Sequence, residues 1–120
     1  MLFRSEYDKL SDKRSGEGSA QVRERVEAAR SIQRERFAQS AQIHQNADMG
    51  VKEVRQHCVL DKDSEMLMKN AMQQMELTAR AYHRILKLAR TISDLAAETQ
   101  IASQHLAEAL QYRAKSEYFI

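Results

Sequence analysis

The chain has 120 residues, 42% of them hydrophobic and 30% charged, with nineteen basic and seventeen acidic side chains and a formal net charge of +2. That length and apolar content suit one domain with a single modest core, and the near balance of charge excludes a polycation built to hold nucleic acid by charge alone. The lone Cys58 excludes an internal disulfide. With neither a signal peptide nor an apolar run approaching the ~20 residues that span a bilayer, a cytoplasmic location and no membrane partner are expected.

Proline and tryptophan are absent and only three glycines occur, a composition that favours helix throughout. Residues 1–18, MLFRSEYDKLSDKRSGEG, hold Phe3, Tyr7 and Leu10 without a sustained period and close on Gly16 and Gly18, which predicts an extended leader and linker. From Ser19, read as an N-cap, the apolar residues Val22, Val26, Ala29, Ile32 and Phe37 share one face at about 100° per residue, predicting a first helix to about Ala38. Gln39 to Met49 reads as a polar loop, and Val51, Val54 and Cys58 after Gly50 predict a short second helix.

Asp61 can accept from the free amides that open a third helix, while Asp63 and Glu65 suit its positive end. Leu67, Met68, Ala71, Met72 and Met75 form its inner face and it ends near Met75. Thr78 caps the longest helix, to about Ala97, whose face of Ala81, Ile85, Leu88, Ala89, Ile92, Leu95 and Ala96 is wide enough to centre a core. After a connection over Glu98–Ile101, a last helix from about Ser103 turns Leu106, Ala109, Leu110 and Ala114 inward. The expected fold is therefore all-α, a compact bundle of four to five helices without a strand, internal repeat or extended coiled coil.

A phosphate-cradling GxxxxGK loop followed by Ser or Thr is absent, as are a G-x-S-x-G turn, an HExxH helix and a dinucleotide fingerprint. No catalytic residue is assigned to the chain, which is not expected to be an enzyme by itself. His44, His57, His83 and His105 lack a strong second ligand at helical spacing, and the adjacent His57 and Cys58 point about 100° apart on a helix. No metal site is expected, and these two read as a surface imidazole beside a buried thiol. Met68, Met72 and Met75 lie on the periodic stripe and read as core rather than as an adaptable groove.

Two basic rows remain. Arg80, Arg84 and Lys87 stand at i, i+4 and i+7 in the N-terminal half of the fourth helix, where the macrodipole does not favour positive charge. Such a row is either a solvated flank or a surface that meets phosphate. Arg23, Arg30 and Arg34 form the other row, and Glu27 among them can pair at helical spacing with Arg23 and Arg30, so salt-bridged surface is the stronger reading there.

The segments LTARAYHRILKLARTISDLA, Leu77 to Ala96, and IASQHLAEALQYR, Ile101 to Arg113, resemble the C-terminal region of magnesium-chelatase-like AAA+ ATPases of the bacterial competence type. GEGSAQVRERVEAARSIQRERF and VKEVRQHCVLD resemble the linker, first helix and next block of the same region, so the likeness covers about Tyr7 to Arg113. The resemblance implies an AAA+ lid over residues 19–120, preceded by residues 1–18 as the linker from an ATPase core that this chain lacks. It implies that Arg80, in Thr78-Ala79-Arg80, is the sensor 2 arginine that reaches an ATP γ-phosphate, in its own or a neighbouring subunit, with Arg84 and Lys87 as lesser phosphate or interface contacts. ATP and Mg2+ are then cofactors of the full-length protein, with none expected on this fragment. The implied partners are the core of the same protein and neighbouring subunits of a hexamer, with DNA reached through the full-length motor in recombination or transformation; the isolated fragment is expected to be monomeric. A freestanding helical DNA- or protein-binding adaptor is the competing reading. Metal-chelatase activity is a third, for which no residue here recognises a porphyrin.

Overall fold

The computed structural model describes residues 18–118, with side chains to 113. Among these residues five α-helices follow one another: α1 (Ser19–Arg36), α2 (Val51–His57), α3 (Lys62–Gln74), α4 (Ala79–Leu95) and α5 (Ser103–Tyr118), with a 3-10 turn at Asn46–Asp48 between α1 and α2. The all-α bundle expected from the sequence is what forms. Among the described residues there is no strand, only an isolated parallel bridge between Leu60 and Ile101. The leader expected over residues 1–18 lies outside the described residues save for Gly18, and so does the side chain of Ala114.

The helices begin where side chains or turns supply partners for free amides. Asp61 accepts from the Ser64 amide at 2.7 Å and Thr78 from the Ala81 amide at 3.1 Å, capping α3 and α4 as their spacing predicts. At α1 the cap is Gly18 rather than Ser19, which is the first helical residue. Gln21 Oε1 accepts from the Gly18 amide at 3.3 Å, the task that a cap's own oxygen would otherwise leave undone.

The ends of α3 and α4 are set without glycine. Glu76 and Ala97 take positive φ, 51° and 58°, and the chain closes back with Leu77 N–H donating to Met72 O and Glu98 N–H to Ser93 O, at 3.1 and 2.9 Å. These are Schellman closures. They end α4 at Leu95, two residues before the expected Ala97, because the left-handed turn starts where no glycine marks it. α1 similarly stops at Arg36, and Phe37 leaves the helical path.

α4 is the centre of the bundle: α5 packs along it, and α1, α2 and the 3-10 turn also rest on it, while α3 packs on α5. Phe37, Met49, Val54, Cys58, Met68, Ile85, Leu86, Ala89, Ile101, Leu106, Ala109 and Leu110 form one contiguous core. The Met68 face of α3 is core as expected. Surrounded on several sides, α4 buries a face rotated from the expected one: Leu86, Arg90, Ser93 and Asp94 are inside with Ala81, Ile85 and Ala89, while Leu88, Ile92 and Leu95 are half-buried and Ala96 is exposed. Two other apolar positions also stay outside, Val22 at 42% and Val51 at 52% exposure, because the N-terminal end of α1 and the first turn of α2 extend past the core.

Candidate functional site

The first turn of α2 and the 3-10 turn face the N-terminal half of α4 across an open groove of about 740 Å³. Ala47, Met49, Gly50 and Val51 form one wall. Arg80, His83, Arg84, Lys87, Leu88 and Thr91 form the other. Helical spacing thus brings all three residues of the Arg80 row onto one concavity, where three cations meet no carboxylate among the lining residues. Such a donor set fits a phosphate oxygen and not a metal ion. Arg80 and Arg84 are exposed and neither makes a hydrogen bond or ion pair among the described residues. Lys87 is half-buried and donates from Nζ to Ala47 O at 3.3 Å.

His83 also lines the groove. Its Nδ1 lies 2.9 Å from Ala79 O, and because a carbonyl only accepts, this nitrogen carries the proton. The ring meets Tyr82 edge to face, with centroids 5.4 Å apart, so its position beside Arg80 and Arg84 is set by the helix that carries them.

Beneath the groove lies a buried polar cluster that the sequence reading did not anticipate. Asp94, 2% exposed, accepts two parallel bonds from Arg36 at 2.8 Å each and one from Asn46 Nδ2 at 2.9 Å. Arg90 Nη2 approaches the same carboxylate at 3.2 Å. Asn46 Oδ1 accepts from Arg36 at 2.9 Å, and its Nδ2 also reaches Thr91 Oγ1 at 3.1 Å. The Asn46 amide donates to Gln33 Oε1 at 2.9 Å. The hydrogen bond and charge of Asp94 hold the Arg36 guanidinium above its ordinary value despite burial, whereas burial outweighs Asp94 at Arg90 and pushes it below.

This cluster fixes the groove's far wall. Asn46 opens the 3-10 turn that carries Ala47 and Met49, and it is tied through Thr91 and Asp94 to the helix that carries the cation row. The sequence offered one signal, Arg90 and Asp94 at i, i+4 among the apolar residues of α4. Arg36, 58 positions from Asp94, and Asn46 in a polar stretch offered none.

The other expectations resolve simply. Arg30 and Glu27 form a 3.1 Å pair on the surface, 65% and 57% exposed, so that part of the α1 row is salt-bridged. Cys58 is buried, its thiol pushed up to about 11 chiefly by that burial. His57 is half-buried, not a surface imidazole: its ring stands edge-on to Phe37 with centroids 5.5 Å apart. His105 is buried as well, and its Nδ1 accepts from the Ala102 amide at 3.0 Å at the start of α5. Among the described residues no helix is long and apolar enough to cross a membrane.

Comparison with known proteins shows the family. The family model described as magnesium chelatase, subunit ChlI C-terminal, matches residues 16–113. The competence protein ComM of Haemophilus influenzae is 48% identical over 99 residues, covering 82% of this chain and 18% of that protein. Uncharacterized proteins YifB of Escherichia coli and Salmonella typhimurium are 41% and 40% identical over the same length, 19% of each. The chain thus spans less than a fifth of the relatives it matches, and across most of its own length it belongs to the magnesium chelatase C-terminal family as the helical, AAA+-associated domain of ComM-like proteins.

Proposed function

We propose that this domain is the lid of a magnesium-chelatase-like AAA+ ATPase, that Arg80 is its sensor 2 arginine, and that lid position couples the nucleotide state to rearrangement of subunits in a DNA-remodelling motor. The observation that carries the reading is the groove. Arg80 and Arg84 project into it without a partner among the described residues, beside Lys87, on the most firmly packed helix of the domain. Two unpaired guanidiniums next to a half-buried ammonium make a positive surface whose natural complement is a phosphate oxygen.

ATP and Mg2+ belong to the assembled protein, where the γ-phosphate supplies the charge that Arg80 reads and hydrolysis removes it. This chain's own part is to hold and orient. The guanidinium of Arg80 donates to phosphate oxygens, Arg84 and Lys87 add to the positive potential, and the buried Asp94 cluster keeps the groove wall at fixed distance. The metal's ligands would come from elsewhere, since no carboxylate lines the groove. A lid with these contacts closes when the γ-phosphate is present and relaxes when it leaves.

The test is Arg80→Ala in the full-length protein, with ATP turnover measured under assembling conditions and far-UV circular dichroism as the control for folding. Turnover should fall by roughly 10²-fold, the scale of losing one donor to a charged transition state, with the fold unchanged. Wild-type turnover would remove Arg80 from the sensor role. Salt-dependent DNA binding by the 120-residue chain alone, abolished by Arg80→Ala with Arg84→Ala, would instead favour an adaptor.

A further inference from the structure

A second cavity, of about 470 Å³, lies where the ends of α2 and α4 meet the connection to α5. It shares no lining residue with the groove. Arg36, Gln56, His57, Arg90, Thr99 and Gln100 are among the residues around it. Arg90 is 96% buried, being 4% exposed, and is held by the carbonyls of Thr99 and Glu98 at 3.1 and 2.9 Å, so both the cavity and its main cation are fixed by the fold.

The donors here outnumber the acceptors. A carboxylate offers about four lone-pair sites, and all four of Asp94 are taken: Arg36 Nη2 and Arg90 Nη2 at Oδ1, Arg36 Nη1 and Asn46 Nδ2 at Oδ2. Each guanidinium has five N–H groups in a fixed fork. Arg36 Nη2 and Arg90 Nη1 each keep an N–H that meets no acceptor among the described residues, and the Arg90 Nε, unmatched as well, is enclosed by protein atoms. Two positive charges therefore border the cavity against one buried carboxylate. The lining carboxylate, Asp61, is exposed, and its oxygen is engaged by the Ser64 amide at the start of α3.

We propose that this cavity is an oxyanion site that takes a phosphate group on the unmatched N–H donors of Arg36 and Arg90, with Gln56, Thr99 and Gln100 at its rim. A tetrahedral oxyanion supplies acceptors on several sides at once, which suits two forks converging from different elements. The imidazole of His57 lies below its ordinary value through burial first and then the charges of Arg36 and Arg90, as expected where the local potential is positive. The volume exceeds that of a bare phosphate, so a small phosphate ester also fits. The site is independent of the sensor assignment, and bridges α1, α2, α4 and the α4–α5 connection, so its occupant would brace the C-terminal half of α4.

The 120-residue chain, isotopically labelled, is titrated with inorganic phosphate at pH 7 and constant ionic strength, with sodium chloride as the control and ribose 5-phosphate as a second arm. The site predicts saturable amide shifts at His57, Thr99 and Gln100 that chloride does not produce. Tighter binding of the sugar phosphate identifies an ester as the occupant and equal binding the free ion; either supports the site. Gln100→Glu, an exposed change that breaks no hydrogen bond of the cluster, should weaken the titration roughly three- to fivefold, the worth of one exposed charge contact. Arg80→Ala should leave it unchanged. The proposal is overturned by the absence of saturation up to about 50 mM, far weaker than the millimolar range of simple ligands, by shifts confined to Ala47, Arg84 and Lys87, by an equal response to chloride, or by a Gln100→Glu titration that matches the parent.

Discussion

Asp94→Asn is the perturbation that measures how much of the domain rests on its buried cluster. The substitution keeps the shape of the side chain and removes the one anion between Arg36 and Arg90, which are 14% and 5% exposed at the side chain. One of the two oxygens that accept from Arg36 becomes an amide nitrogen that can only donate. Breaking a buried ion pair by removing one partner costs about 3–5 kcal/mol, because the remaining charge stays desolvated. A domain of this size has about 5–15 kcal/mol in total, so the variant should lose a large share of it and roughly 12–20 °C in Tm. Urea denaturation followed by circular dichroism reads this as a lower midpoint with an unchanged m-value. Glu27→Gln serves as the internal control: it removes the exposed pair with Arg30 and should change stability by less than about 0.5 kcal/mol. Arg36→Met combined with Asp94→Asn should cost less than the two changes summed, since they share one interaction. A loss under about 1 kcal/mol for Asp94→Asn, equal to the surface control, would refute the assignment of a coupled buried cluster.

Two further outcomes follow from local geometry. Ala97 sits at φ 58°, where an L side chain is strained, so Ala97→Gly should stabilise the chain by about 0.5–1 kcal/mol in the same denaturation; a destabilisation would show that Ala97 does not adopt that turn in solution. His57 lies below its ordinary value of 6.5 when folded, so the unfolded chain takes up the proton first. Stability is therefore fully present above 6.5, falls as pH drops from 6.5 toward the lower folded value, and levels off beneath it. His57→Gln should flatten that window in a pH series of unfolding midpoints, and an unchanged slope would assign the dependence to another group.

The helices were legible because α3 and α4 carry both a cap and an apolar period, Asp61 before the Met68 face and Thr78 before the Ile85 face. Their ends were less so, because Glu76 and Ala97 enter the left-handed region without the glycine that usually marks it. The cation row was legible from i, i+4 and i+7 spacing alone, whereas the wall opposite it was not. Asn46 and Met49 lie in a stretch that reads as polar loop, yet both are buried. Asn46 is placed by its bonds to Thr91 and Asp94, some 45 residues away, and Met49 by the core it joins, and periodicity within a segment carries no information about partners that distant. For the same reason Arg90 and Asp94 escape a hydrophobic pattern: burial of a charge depends on its partners, and Arg36 becomes a partner only after α1 is laid against α4.

That dependence gives the buried cluster a role beyond stability. A cation row on an isolated helix would be a flexible fringe, and its affinity for an anion would be reduced by the entropy of ordering long side chains. Here the opposing wall is held through Asn46 to Thr91 and Asp94, one and two helical turns beyond Lys87, and Thr91 Oγ1 in turn donates to Lys87 O at 3.1 Å. The Lys87 ammonium reaches across the groove to Ala47 O, closing a ring of contacts that runs from wall to row and back through the core. Loosening Asn46 should therefore widen the groove without touching a cation of the row, whereas removing Arg80 should leave the wall in place. The groove's width is set chiefly by Asn46 through Thr91 and Asp94 and its charge chiefly by Arg80 and Arg84, with Lys87 contributing to both, so the groove can keep its shape while an anion in it comes and goes.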